Sequence, residues 1–191
     1  MVVSQNVESS ELGAAVLSAG GNAVDAADAV GFSLAITLPR AGNIGGGGFM
    51  LIYIKDKDEL FSIDYRSSSS LNSNLQNIFG SKSPTQIQED DYDSIKYGYM
   101  ASAVPGTVYG LLEAHERFGK LSLKEVLLPV IDQANEGIIV SYDLHNAIGS
   151  SYQLKDDPES RKIYFHNNKP VAIGSVMKRP DLANTFEAIA I

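Results

Sequence analysis

Four consecutive glycines, Gly45 to Gly48, lie directly before the apolar segment Phe49-Met50-Leu51. Glycine adopts backbone conformations that other residues avoid and lets neighbouring backbone approach closely, at an entropic cost. A chain that accepts this cost at four successive positions requires bare backbone at one place in its fold. The run therefore restricts which elements can lie against one another there.

The glycine run has three interpretations. A phosphate-binding loop requires a preceding strand, a following helix and a Lys-Ser or Lys-Thr pair, whereas here a strand-like segment follows and no such pair does. The run can instead serve close packing alone. In the third interpretation it lies beside a site that another segment completes.

The segments after the glycines predict an antiparallel hairpin. Phe49 to Ile54 is a continuous apolar run, Lys55 to Asp58 is a polar turn, and Leu60 to Tyr65 alternates. The two ends of a hairpin are neighbours in space, so we expect Arg66 close to Gly45, Gly46, Gly47 and Gly48. A guanidinium there can bind a carboxylate through two parallel hydrogen bonds, although an ordinary solvated arginine fits the same position.

Apolar periodicity and capping residues predict helices on both sides of the hairpin. They are expected over residues 7–19, from Asn22 to about Leu38, over about 107–118, from Ser122 to Gly137, from Ser141, and from Pro180 onward. Residues 163–165 and 171–173 are expected to pair around Asn167-Asn168. Asp25, Asp28 and Asp64 read as single carboxylates without an evident partner, and His115 lies on a helix flank.

Composition indicates a packed chain of one domain, or a large piece of one. The 191 residues are 44% hydrophobic and 20% charged, which is typical of a globular core. Residues 67–98 are rich in Ser, Asn, Gln and Asp. This bias predicts a surface excursion with short helical turns.

Charge and residue usage exclude several classes of function. A net charge of −8 argues against nucleic-acid binding, which depends on Lys and Arg. The sequence contains no cysteine, and its three histidines lack the spacing of a metal site, so we expect no metal and no cofactor. The longest apolar stretch, residues 29–39, is too short for a membrane span, and the N-terminus does not resemble a signal peptide.

Several motifs occur in one order along the chain. They include Gly20 to Ala27, Ile44 to Leu51, Asp64-Tyr65-Arg66, Val104-Pro105-Gly106 and Phe118 to Leu121. In this order they resemble the N-terminal part of the large subunit of the γ-glutamyltranspeptidases, also called glutathione hydrolases. Residues 67–98 and 141–173 match that family only weakly.

The resemblance implies an α/β (α+β) fold, the αββα sandwich of the N-terminal-nucleophile hydrolases, with residues 1–191 forming one partial domain as a large-subunit fragment. It implies cleavage of γ-glutamyl compounds such as glutathione and transfer of the glutamyl group to water, an amino acid or a peptide. In the family a precursor cuts itself, and the new N-terminal Thr of the small subunit is the nucleophile, with its own amino group as base.

No threonine of this chain is followed by the Thr-His pair of that nucleophile. We therefore expect no catalytic residue here, and a partner segment or small subunit that carries the nucleophilic Thr. Apolar surface left for that partner also predicts either a second polypeptide or a homo-oligomer. Many family members are periplasmic or extracellular, and the sequence does not specify a location.

The resemblance implies a role for Arg66, since the family's arginine after the second hairpin strand binds the substrate α-carboxylate. The glycines Gly45 to Gly48 are then structural neighbours of the site. Family members often have Glu after this arginine, where this chain has Ser67. Arg40 replaces a usually neutral residue and is expected to add a second positive charge near the glycines.

Two other functions remain open. One is a related acylase on the same fold, such as a β-lactam side-chain acylase. The other is a non-catalytic remnant that acts as a binding or scaffold subunit.

Overall fold

Helices are the main regular structure of this computed structural model, which describes residues 1–88, 90, 91, 96 and 101–191. The helices are α1 (Val7–Ser18), α2 (Ala23–Thr37), α3 (Leu75–Phe79), α4 (Thr107–Phe118), α5 (Leu123–Glu136), α6 (Tyr142–Ser150), α7 (Tyr152–Asp156), α8 (Pro158–Tyr164) and α9 (Pro180–Ile189). The strands are β1 (Phe49–Ile54), β2 (Glu59–Asp64), β3 (Ile138–Ile139), β4 (Phe165–His166), β5 (Lys169–Pro170) and β6 (Val176–Met177).

Capping residues begin the main helices where the sequence predicts them. The Asn22 side chain accepts the N–H groups of Val24 and Asp25 at 2.8 and 3.1 Å, and the Asp25 carboxylate accepts the N–H of Asn22 at 2.7 Å. Ser122 and Glu125 form the same reciprocal box at the start of α5. Such boxes satisfy N–H groups that a helix leaves unpaired, and they confirm the predicted starts of α2 and α5.

The principal core lies between α2, α5 and α9. Its fully buried side chains include Phe32, Ile36, Leu127, Val130 and Phe186. The rings of Phe32 and Phe186 meet edge to face, with centroids 5.6 Å apart. Burial of these large apolar groups is the main contribution that holds α2, α5 and α9 together.

The hairpin packs one face against the helices and leaves the other exposed. β1 and β2 are antiparallel, in a register that pairs Phe49 with Asp64 and Ile52 with Phe61. On the inner face Ile52 and Ile63 are buried with Val24 and Ala114 in a second, smaller core. The predicted hairpin is therefore confirmed.

The apolar residues of the outer face are Phe49, Leu51, Tyr53 and Leu60, and each is more than half exposed. They alternate with the inner-face residues along both strands, as the pleat of a strand requires. The exposed side of this hairpin is therefore strongly apolar.

The second turn differs from the sequence-based expectation. Asn167 and Asn168 do form it, with φ of 50° and 61°, but the strands pair Phe165 with Pro170 and His166 with Lys169. The predicted hairpin is therefore present, and the Val171 N–H also donates to the Tyr164 carbonyl at 3.0 Å, but its strands are shorter and closer to the turn than expected because α8 extends to Tyr164. Asp157 caps that helix and Pro158 occupies its first turn, a combination that favours helix over strand.

Part of the predicted excursion over residues 67–98 lies outside the described residues. Within the described part, α3 is followed by a short 3-10 turn at Pro84–Gln86. No helix in the described part of the chain is both long and apolar enough to cross a membrane.

Candidate functional site

The glycine run joins the hairpin to the beginning of α4. Gly48 and Tyr65 exchange backbone hydrogen bonds of 3.3 and 3.0 Å, which extend the hairpin ladder beyond its strands. The carbonyl of Gly46 accepts the N–H groups of Gly106 and Thr107 at 2.8 and 3.1 Å. N–H groups at the start of a helix have no partner within the helix, so the Gly46 carbonyl also caps α4.

Bare backbone is required where the run meets the end of β2. A Cβ on Gly47 would lie 2.4 Å from the Ser67 nitrogen and 2.5 Å from the Tyr65 oxygen. A Cβ on Gly48 would lie 2.9 Å from the Tyr65 ring. Gly45 and Gly46 lack such contacts, because their added Cβ atoms would meet nothing closer than 3.3 Å. The predicted proximity to Arg66 is confirmed for Gly47 and Gly48.

Two glycines from α4 and its N-terminal cap complete the enclosure of Tyr65. A Cβ on Gly106 would lie 2.0 Å from the Tyr65 oxygen, and one on Gly110 would lie 2.1 Å from Tyr65 Cγ. Tyr65 is thus held by bare backbone from two separate segments. The sequence shows these glycines but not that they share one neighbour.

Arg66 follows Tyr65 and is fixed through the backbone on both sides. Its N–H donates to Asp64 Oδ1 at 3.0 Å. Beyond it, Ser68 and Val104 form an antiparallel bridge with hydrogen bonds of 3.1 and 2.8 Å. The segment from Asp64 to Ser68 therefore has little freedom to shift.

The Arg66 side chain is exposed and lies on the apolar outer face of the hairpin. Its guanidinium carbon is 5.9 Å from the centroid of the Phe49 ring, within the range of a cation–π contact. No carboxylate in the described part of the chain forms an ion pair with it. Its donors are therefore available to an external carboxylate, and Phe49 is a neighbour that the sequence analysis did not identify.

Arg40 does not add a free positive charge beside the glycines. Its Nη2 donates to Asp143 Oδ2 of α6 at 2.7 Å, so the charge of Arg40 is paired with a carboxylate. The physical reason is the position of Arg40 after α2, which directs the side chain towards α6.

Two of the three aspartates predicted to be isolated, Asp25 and Asp28, are buried in the interior near other polar groups. Asp25 accepts backbone N–H groups of Asn22, Lys120 and Leu121 at 2.7 to 3.3 Å. Asp28 lies with one oxygen 3.5 Å from Nδ1 of His115, which is also 3.6 Å from Asp25. The interpretation of Asp25 as partnerless is wrong, whereas Asp28 has only His115 within ion-pair distance and no hydrogen-bond partner among the described residues.

The buried carboxyl of Asp28 has an altered proton affinity. Its side chain is 0% exposed. Burial, and secondarily the charge of Asp25, raises its pKa to about 8. Burial, together with the charge of Asp28, also raises the pKa of the Tyr65 hydroxyl. The site beside Arg66 and this buried cluster are therefore electrostatically connected through Tyr65.

No described group of three or more His, Cys, Asp or Glu side chains is arranged to hold a metal ion. The described threonine hydroxyls have structural partners where they are buried, since Thr37 Oγ1 bonds to Ser9 Oγ at 2.8 Å.

Comparison with known proteins gives concordant matches over almost the whole chain. A family model described as Gamma-glutamyltranspeptidase matches residues 9–191. The glutathione hydrolase proenzyme of Pseudomonas aeruginosa is 40% identical over 184 residues, which cover 94% of this chain and 30% of that protein.

Solved structures give the same result. Gamma-glutamyltranspeptidase of Helicobacter pylori superposes with a TM-score of 0.89 at 30% identity, covering 100% of this chain and 53% of that one. The enzyme of the same name from Pseudomonas nitroreducens gives 0.85 at 37% identity, covering 99% of this chain and 53% of that one. The chain thus spans about 30% of the length of the curated relative and about half of each solved chain.

Proposed function

Because the chain belongs to the γ-glutamyltranspeptidase family, we propose that it supplies the substrate-carboxylate clamp of an enzyme that cleaves γ-glutamyl amides. The family is one of enzymes, and its solved members share the α/β fold expected from the sequence. In this proposal Arg66 binds the α-carboxylate of the glutamyl group. The nucleophilic Thr comes from a segment or subunit outside residues 1–191.

One observation carries the proposal: the Arg66 guanidinium is exposed, fixed at its backbone and without an ion-pair partner among the described residues. A guanidinium presents parallel N–H donors that match the two oxygens of a carboxylate. In an acidic chain of net charge −8, an arginine held in this way attracts a small anionic ligand to one place.

The clamp acts by positioning rather than by bond making. A carboxylate fixed at Arg66 leaves the γ-amide of the same glutamyl group at a set distance from it. Holding the amide in one orientation lowers the entropic part of the barrier for attack. The glycines around Tyr65 contribute by holding the arginine in place. Bond breaking then requires a nucleophile that another segment presents to the same amide.

The outer face of the hairpin supports a second segment as the partner. Phe49 and Leu51 are 65% and 74% exposed, on a two-stranded sheet whose edges have no further strand in the described chain. An apolar face of this kind next to a binding site is typical of a surface that another layer covers. The partner proposed here is the remaining part of the family's polypeptide, and a second copy of this chain is the alternative.

The test requires the chain together with the segment that supplies the nucleophile. We expect Arg66→Ala, assayed in that assembly with a γ-glutamyl anilide, to raise KM about 30- to 150-fold, as loss of a charged hydrogen-bonded pair worth about 2–3 kcal/mol implies. Arg161→Ala is the matched control, since Arg161 is exposed on α8, a helix whose main contacts are with α7 and β4. An unchanged KM for Arg66→Ala would remove Arg66 from substrate binding.

A second substrate separates the proposal from a related acylase. Glutaryl and γ-glutamyl amides both carry a terminal carboxylate, but only the γ-glutamyl group carries an α-amino group. We expect the assembly to hydrolyse the γ-glutamyl amide and to discriminate against the glutaryl one. Preference for the glutaryl amide would favour the acylase, and no hydrolysis of either would favour a non-catalytic role.

A further inference from the structure

Asp28 and His115 form a buried pair that carboxylate binding at Arg66 does not use directly. Asp28 is 0% exposed, and the His115 side chain is 12% exposed. Both carboxyl oxygens of Asp28 and Nδ1 of His115 are buried without a hydrogen-bond partner among the described residues. Polar atoms in such a position normally have one. The missing hydrogen bonds of Asp28 and His115 therefore require an explanation that covers both residues.

The titratable groups facing Asp28 come from three elements. Asp25 lies one turn earlier on α2, His115 projects from α4, and Tyr65 lies beyond the end of β2. No lysine or arginine in the described ranges forms an ion pair with Asp28. A carboxylate left ionised here beside a neutral imidazole would be a buried charge without compensation, which is strongly unfavourable.

One proton bound between Asp28 and His115 removes the uncompensated buried charge. With a proton on the pair, the Asp28 hydroxyl can donate to an unprotonated Nδ1, or a protonated Nδ1 can donate to the carboxylate. Either form gives a partner to Nδ1 and to one Asp28 oxygen, and the heavy-atom distance of 3.5 Å needs only a small closure to form the bond. Asp25 cannot substitute in this role, since backbone N–H groups already occupy its oxygens.

The pair is mechanically close to the binding site. The helix that carries His115 also carries Gly110, on which the Tyr65 ring lies. Tyr65 is the residue before Arg66, and the charge of Asp28 reaches its hydroxyl group. A negative charge appearing on Asp28 adds to that of Asp25 in the wall behind Tyr65. Repulsion between α2 and its surroundings would then loosen the packing that fixes Tyr65.

We propose that Asp28 and His115 are positioning residues that share one proton, and that loss of this proton displaces Tyr65 and weakens carboxylate binding by Arg66. The inference rests on the proposed role of Arg66 as the carboxylate clamp. Loss of the proton at alkaline pH is therefore expected to raise KM and to change kcat less. A merely structural pair would alter stability but not this pH dependence.

The experiment compares the wild-type assembly with Asp28→Asn from about pH 6 to about pH 10. Asparagine is nearly isosteric, can donate to His115 Nδ1 and does not titrate in this range. We expect the ratio of wild-type KM to variant KM to rise about tenfold across this range, centred near the raised pKa of Asp28. Titrations of the substrate amino group and of the nucleophile are common to both proteins, so they cancel in the ratio.

Asp143→Asn is the matched control, because Asp143 is an exposed carboxylate paired with Arg40. Its KM ratio to wild type should stay constant with pH. If Asp28→Asn gives the same constant ratio, the positioning role is overturned while the Arg66 proposal stands.

A measurement without turnover separates the two proposals. In the folded assembly, the carboxyl carbon of Asp28 should titrate in NMR spectra near pH 8, and this signal should be absent from Asp28→Asn. Titration near pH 8 together with an Arg66→Ala variant of normal KM would leave the Asp28 proton in place and reject the clamp. Titration of Asp28 near its ordinary value would reject the pair.

Discussion

Replacing Gly110 by alanine tests whether the close contact with Tyr65 fixes the binding site. The new Cβ would lie 2.1 Å from Cγ, 2.3 Å from Cδ1 and 2.4 Å from Cβ of Tyr65. Cβ and Cγ lie on the axis about which the ring rotates, so ring rotation cannot relieve these two contacts. Tyr65 must therefore move as a whole by about 1 Å to restore ordinary contact distances.

The expected magnitude is a balance of two terms. Alanine in place of glycine inside a helix stabilises by about 1 kcal/mol, whereas overpacking costs about 1–3 kcal/mol and sometimes more. The backbone of Tyr65 is tied to Gly48 by two hydrogen bonds, so the clash should lie at the upper end. We expect a net loss of about 2 kcal/mol in the free energy of unfolding.

Gly149→Ala is the matched control, because Gly149 also lies in a helix, α6, and its added Cβ would meet only Pro170 Cγ at 3.4 Å. It should leave the unfolding midpoint unchanged or slightly higher. Gly110→Ala should lower the midpoint and raise KM for a γ-glutamyl anilide about tenfold or more, since a 1 Å displacement of Arg66 breaks at least one charged hydrogen bond.

Comparison with a substrate analogue that lacks the α-carboxylate identifies the cause of the change in KM. For that analogue the KM of Gly110→Ala should equal the KM of the wild type. If Gly110→Ala behaves like Gly149→Ala in both unfolding and KM, the claim that the glycine contact positions Arg66 is wrong.

Two further predictions concern stability and assembly. Burial raises the pKa of Asp28 above its value in the unfolded chain. The contribution of the Asp28 proton to the free energy of unfolding is therefore complete below about pH 4 and is lost as the pH rises towards about 8. Urea unfolding should show a loss on the order of 4 kcal/mol between about pH 4 and pH 7 that Asp28→Asn abolishes, and identical pH dependence of the two proteins would contradict the assignment. Leu51→Asp on the exposed outer face should prevent co-purification with the nucleophile-bearing segment. Leu71→Asp, an exposed leucine outside the hairpin, should not, and equal recovery of both variants would exclude the outer face as the interface.

The sequence predicted the elements that local signals specify. The capping boxes at Asn22 and Ser122, the apolar periodicity of α1 and α5, and the polar turn at Lys55 to Asp58 each act within a few residues, and the structure has the corresponding elements. The proximity of Arg66 to Gly47 and Gly48 also followed, because hairpin geometry alone brings strand ends together.

Local sequence signals do not predict contacts between separate helices and strands. Asp28 and His115 lie on helices far apart in the sequence, and only the packing of α2 against α4 brings them within 3.5 Å. The placement of Gly106 and Gly110 against Tyr65 depends on the same packing. The ion pair of Arg40 is unpredictable for a similar reason, since its partner Asp143 is on a helix that the local sequence does not relate to it.

The unfavourable features of this chain concentrate in one region, and that distribution is itself an argument about function. Glycines 47, 48, 106 and 110 each forgo a side chain around the same tyrosine, and an unpaired carboxyl is buried behind it. The core around Phe32 and Phe186 is instead built of ordinary apolar packing. Proteins tend to depart from locally favourable choices where a site must be held in place.

A fold that needed Tyr65 only to fill space could have used a smaller side chain there and alanines around it. The residue that benefits from holding Tyr65 rigidly is its neighbour Arg66, whose donors face solvent, so these costs are best explained by a requirement to fix that guanidinium.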